Sequence, residues 1–270
     1  MNRKSIRRNL TLSLCALFLL TSCATVPLTG RRQLDLLPSG TMLTLSFQQY
    51  DDFIKTNKVI TGTPESRLVK EVGRRIADAV EEYLRANGQS ARIANYQWEF
   101  NLVQSDEANA WCLPGGKVVV YSGLLPITQD ATGLAVVMGH EIAHAVAKHG
   151  DERMSQGMIA SMGTAALSVA MESSPQETQQ VWMSAFGLGA QYGVMLPFSR
   201  LHESEADHLG LIFMALAGYD PAKAVNFWER MAQMKGGAGV PEFMSSHPSD
   251  RSRIQRIHEQ LPEAKGYYRK

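Results

Sequence analysis

The run Leu134 to Val146 is almost wholly apolar, yet at its centre residues 140–144 read His-Glu-Ile-Ala-His. As a helix, this stretch turns both imidazoles to one face, a single turn apart, where one cation can bind both. Glu141, about 100° round the helix, points beside such a cation rather than at it, the place of a general base. Zinc held by two histidines needs a third protein ligand and an open position for water, whose pKa it lowers. A metzincin takes that ligand from a histidine six residues after the second motif histidine, whereas here His149 follows at five. The fold must therefore bring the ligand from elsewhere. The competing reading of the motif alone is a buried helix whose two histidines bond to neighbouring groups.

A carboxylate is available in Ser199-Arg200-Leu201-His202-Glu203-Ser204-Glu205-Ala206-Asp207. Glu203 and Asp207 are one helical turn apart and face the same way, so one can ligate zinc while the other holds a ligating histidine by its outer N–H. The metal is assigned to His140, His144 and Glu203, and the supporting role to Asp207. Glu205 lies on another face and is expected to be solvated; His202, about 100° from Glu203, is the competing ligand.

The rest of the chain reads as α+β, mostly helical with a small mixed sheet. Thr63-Pro64-Glu65 opens an amphipathic helix with Leu68, Val72, Ile76 and Val80 recurring every four residues, ending near Gly88. From Tyr96 to Leu102 the period is two, as in a half-buried strand, and Lys117 to Tyr121 follows Pro114-Gly115-Gly116 as a second strand. Asn109 to Leu113 suits a strand at the sheet edge, beside the active-site helix. Everything after Asp130 reads as helical. Met154–Met171 and Val181–Met195, rich in Met and Ala, are expected as adaptable core, the alternative being a hairpin on a bilayer.

With these residues in hand, the chain resembles the HtpX-like and CAAX-prenyl-protease-type metallopeptidases, which are gluzincins, over most of its length from about residue 60. The resemblance rests on His-Glu-Ile-Ala-His, on Ser-Arg-x-x-Glu-x-x-Ala-Asp, on Asn109-Ala110-Trp111-Cys112-Leu113-Pro114-Gly115-Gly116, and on Ser246-His247-Pro248 with Arg253 six residues after the histidine. It implies a zincin-like catalytic domain, one zinc per chain, Glu203 as third ligand, and a substrate laid against the edge strand at Asn109, Ala110 and Trp111. His247 or Arg253 then stabilises charge on the scissile carbonyl oxygen. Cys112 stands where the family has a small apolar residue. A further expectation is that His247, carried on a loop hinged at Gly236-Gly237-Ala238-Gly239, latches the open zinc position; the alternative is a cap on the helix near Pro248.

Arg3, Lys4, Arg7 and Arg8 precede the apolar run Leu10 to Leu20, as in a secretory signal, and Leu20-Thr21-Ser22-Cys23 resembles a bacterial lipobox. The expected organisation is a lipoprotein signal peptide at 1–22, a lipidated N-terminus and tether at 23–45 with Cys23 acylated, and the metallopeptidase domain at 46–270. This resembles the short periplasmic lipoprotein branch of the family, linked to outer-membrane protein quality control. Its expected partners are polypeptides of the outer membrane or periplasm, and the membrane through the lipid, at the periplasmic face of the outer membrane. Ala24 lacks the aspartate that retains many such lipoproteins in the inner membrane. With 27 Lys and Arg against 26 Asp and Glu there is no basic stripe for a phosphate backbone, so nucleic acid is not an expected partner. Three cysteines without C-x-x-C pairing support neither a disulfide framework nor a cysteine zinc site. The other class of function left open is a non-proteolytic chaperone or binding lipoprotein with a zinc-stabilised fold.

Overall fold

The computed structural model describes residues 23–172, 176–191, 196–233, 243, 247 and 252–269. The expected signal peptide, the Gly236–Gly239 hinge and the helix-cap residues Pro248 to Asp250 lie outside them.

The four-stranded sheet has the order β1(Val59–Ile60), β2(Glu99–Val103), β4(Lys117–Tyr121), β3(Ala110–Leu113). β2 and β4 are parallel, and the two outer strands pair antiparallel with them. On one face lies α1(Pro64–Ala86), which starts where expected: Thr63 accepts from the Ser66 amide and Ser66 returns the bond, a capping box ahead of Pro64. Its buried stripe of Val69, Val72, Ile76 and Val80 packs into the main core with Phe100, Leu102 and Val118.

β2 is buried on both faces rather than half-buried. Asn101, which the alternation assigns to solvent, is covered and donates to the Tyr50 hydroxyl at 2.7 Å. The cover is α2(Ser39–Thr56), a helix that crosses the expected boundary between residues 45 and 46. Folded structure begins earlier still. Cys23–Thr25 and Arg32–Leu34 form an antiparallel hairpin, here β5 and β6, and Val26 joins the core. Between its strands this segment makes a tight turn, with Leu28 and Gly30 at positive φ. Arg92 clamps the hairpin to the rest, donating to the carbonyls of Thr25 and Val146 at 2.7 and 2.6 Å.

The helical layer contains α3(Leu125–Thr128), α4(Ala131–Val146), α5(His149–Ala170), α6(Gln176–Ala190), α7(Leu196–Leu216), α8(Lys223–Gln233) and α9(Ser252–Gly266). α4 packs chiefly on α7 and also touches α1 and β3. The expectation that the Met-rich helices form core is corrected. α5 and α6 pack on each other, and Met158, Ile159, Met162, Val169 and Leu188 face outward. No helix among the described residues is long and apolar enough to cross a membrane.

Candidate active site

α4 is buried along nearly its whole length, with Asp130 capping it by accepting from the Gly133 amide at 2.8 Å. Burial of His140 in that helix, and the near-burial of His144, demand partners, and α7 supplies them to both histidines. His140 and His144 bring their Nε2 atoms within 3.1 Å of each other. Glu203 lies 3.3 Å from the first and 3.4 Å from the second. His247 completes the group, its Nδ1 standing 3.2 Å from His140 Nε2 and 3.0 Å from Glu203 Oε1. One donor atom from each of the four residues lies within 4.8 Å of the others. Donors at the corners of a tetrahedron with ~2.0–2.1 Å bonds are about 3.3–3.4 Å apart, so the spacing and the N/O donor set fit zinc.

Glu141 sits beside this group as its helical phase requires, its carboxylate 3.3 Å from His247 Nε2, and burial raises its pKa. Burial also holds His144 well below the usual imidazole range, in the neutral form that ligates. Burial acts the same way on His140, but the facing carboxylates of Asp207 and Glu203 outweigh it and raise that pKa to about 9. For Glu203 burial works upward, and hydrogen bonds from three histidines hold it far below the carboxylate range.

Behind His140, Asp207 Oδ1 is 3.0 Å from Nδ1, the arrangement expected of a carboxylate that orients a ligating imidazole. Arg253 grips Asp207 with both ends of its fork, at 2.8 and 2.6 Å, and its guanidinium lies 3.4 Å above the Trp228 ring. It also donates to the His247 carbonyl at 3.3 Å. Arg253 is thus buried and engaged from several sides.

Glu205 corrects another expectation: it is buried, not solvated, because the β5–β6 hairpin covers that face of α7. It faces His149 Nε2 at 3.0 Å, while His149 Nδ1 is 2.9 Å from His144 Nδ1. His202, the competing ligand, instead pairs with Glu152 at 2.9 Å. Sequence reasoning did not assign a role to His149 or Trp228. The signal for His149 is its place five residues after the second motif histidine; nothing local marks the tryptophan.

β3 pairs with β4 alone among the described strands, and Asn109, Ala110 and Trp111 lead along its other edge. Trp111 points away, edge-on to Tyr50 and Phe53. A groove of about 440 Å³ runs beside the strand, lined by Met42, Leu45, Cys112, Leu113, His144 and Met154. The side chains of His144 and His247, 12% and 14% exposed against 2% for His140, mark the open side of the cluster. The amide of Phe243 donates to the Ala108 carbonyl at 3.0 Å and its carbonyl accepts from the His247 amide, tying His247 to the strand's entrance.

Residues 71–261 match the model of peptidase family M48. The chain belongs to that family. Zinc is the family's metal, and the donor cluster accommodates it. Among known proteins, the chain is 29% identical over 277 residues to the mitochondrial metalloendopeptidase OMA1 of Saccharomyces cerevisiae, covering 98% of this chain and 77% of that one. It is 39% identical over 173 residues to the protein of the same name from Schizosaccharomyces pombe, covering 64% of this chain and 49% of that one. It is 30% identical over 165 residues to the beta-barrel assembly-enhancing protease of Escherichia coli, covering 58% of this chain and 33% of that one. The chain thus spans about half or less of the length of several curated relatives it matches.

Proposed function

We propose that the chain is a zinc-dependent endopeptidase that cuts unfolded or misassembled polypeptides at a bacterial cell envelope. The observation that carries the reading is the donor cluster of His140, His144, Glu203 and His247 with a buried carboxylate, Glu141, directly beside it. A purely structural zinc site has no need of that carboxylate, which disfavours the chaperone alternative.

Zinc held there supplies Lewis-acid polarisation of a carbonyl and lowers the pKa of a water. The chain's own groups do the rest. β3 aligns an extended substrate through main-chain hydrogen bonds, with side chains entering the apolar groove. Glu141 takes a proton from the attacking water and returns it to the leaving amine nitrogen. His247 has two positions in this scheme: as a fourth donor it shuts the place that water requires, and displaced from it, it donates to the developing oxyanion. Arg253 serves as a positioning residue, since it is held by Asp207, Trp228 and the His247 carbonyl and stands behind His140 and Glu203 at 3.4 and 3.8 Å. Cys23 is taken as the lipid attachment, with the outer membrane as the location. Support comes from the leader pattern and from the E. coli relative named for β-barrel assembly.

The test is metal analysis of the purified chain together with incubation with reduced casein. One zinc per chain, and cleavage abolished by a chelator and restored by zinc, is the expected result. Bound zinc with intact casein, under conditions where the chain suppresses casein aggregation, favours the chaperone instead. Cys23→Ser should leave the chain outside the membrane fraction after signal processing; a variant that still sediments fully with membranes contradicts the lipid anchor.

A further inference from the structure

A second line of buried polar groups leads away from His144 on the side opposite the cluster. His144 gives Nε2 to the donors and turns Nδ1 to His149 Nδ1 at 2.9 Å. His149 Nε2 meets Glu205 Oε2 at 3.0 Å. The same oxygen accepts from Arg31 Nε at 2.8 Å, and the other accepts from the Thr29 hydroxyl. The two remaining nitrogens of Arg31 reach Glu152 at 3.1 and 2.7 Å. Glu152 in turn holds His202, whose ring stacks 4.4 Å from that of His149.

The atoms permit one proton arrangement. An imidazole ligating through Nε2 carries its proton on Nδ1. His144 Nδ1–H then donates to His149 Nδ1, which must be the bare nitrogen. The His149 proton is therefore on Nε2, where it donates to Glu205. A single carboxylate fixes both tautomers, doing for His144, one imidazole removed, what Asp207 does directly for His140. Glu205 can do so only while it is held in place, and the groups that hold it come from the turn between β5 and β6.

We propose that Arg31 and Thr29 are positioning residues of the metal centre, setting the tautomer and orientation of His144 through Glu205 and His149. Metal retention is then coupled to docking of the hairpin, whose first residue, Cys23, precedes Arg31 by eight positions. The inference rests on the zinc site described above.

The test measures zinc affinity by competition with a chromophoric chelator, and the visible spectrum of the cobalt-substituted chain, in His149→Phe, Arg31→Ala, Arg31→Lys and the double variant His149→Phe/Arg31→Ala. His149→Phe should weaken zinc ten- to a hundredfold. Arg31→Ala should act in the same direction and less strongly, with Arg31→Lys partly restoring affinity, and each should shift the cobalt bands. The double variant should bind no more weakly than His149→Phe alone, because Arg31 acts through His149. Should Arg31→Ala not fold, Thr29→Val and Arg31→Lys supply the same comparison. Affinities within twofold of wild type in the folded variants, or additive losses in the double variant, overturn the proposal. Failure of the wild-type chain to bind zinc overturns the zinc site itself.

Discussion

Gly139 and Gly210 meet backbone to backbone where α4 crosses α7: a β-carbon on Gly139 would stand 2.9 Å from the Gly210 carbonyl oxygen, and one on Gly210 would stand 2.9 Å from the His140 amide nitrogen. This contact sets the distance between the helix that carries His140 and the one that carries Glu203 and Asp207. Gly210→Val must push the helices apart or distort α4 at its first ligand. A loss of roughly 1–3 kcal/mol of stability is expected, together with weaker zinc binding. Thermal melting and chelator titration check both, and wild-type values in each would show that the close approach is dispensable.

Glu141→Gln removes the proton acceptor without touching a donor of the cluster. Turnover should fall by about 10²–10⁴, with zinc content and melting behaviour unchanged. Substantial remaining cleavage would sink the assignment of Glu141 as base.

His247→Ala takes away the fourth donor while leaving His140, His144 and Glu203. If the latch governs the resting chain, basal and autoproteolytic cleavage should rise, and X-ray absorption should show one fewer nitrogen around zinc. Unchanged activity with an unchanged zinc environment would eliminate both the latch and the donor roles.

Burial works to raise the Glu152 pKa, but His202 and Arg31 outweigh it and lower it from 4.5 to about 2. A folded-state pKa below the unfolded value means stability that is fully present above about pH 4.5 and is lost as pH falls toward 2. The contribution is roughly 1–2 kcal/mol after allowance for solvent screening. Melting midpoints should therefore fall between pH 5 and 3 in the wild-type chain and fall less in Glu152→Gln. Equal slopes for the two would remove Glu152 from the account of acid stability.

Local pattern and chemistry determined a good deal of this protein. The capping box at Thr63, the β-branched run from Lys117 and the apolar helix around His140 all depend on neighbours in the chain, and each forms where those neighbours dictate. Glu203 and Asp207 were legible as a pair because helical spacing alone puts them on one face. Tertiary structure decided what lies across from each face. Glu205 reads as solvated on its own helix, and only the distant hairpin, with Arg31 and Thr29, makes it a buried partner of His149. Asn101 follows strand alternation outward but is covered by α2, whose own sequence gives no notice of the sheet beneath it. Arg253 reads as a site residue only through its spacing from His247, and it is the fold that encloses it between Trp228 and Asp207. The Met-rich α5 and α6 have a composition suited to core, yet among the described residues they pack on each other, α5 also meeting α4 and β6, with Met158, Ile159, Met162, Val169 and Leu188 left facing outward. Periodicity specifies which side of an element seeks a partner; the identity of that partner is a long-range fact, settled by which elements meet in space.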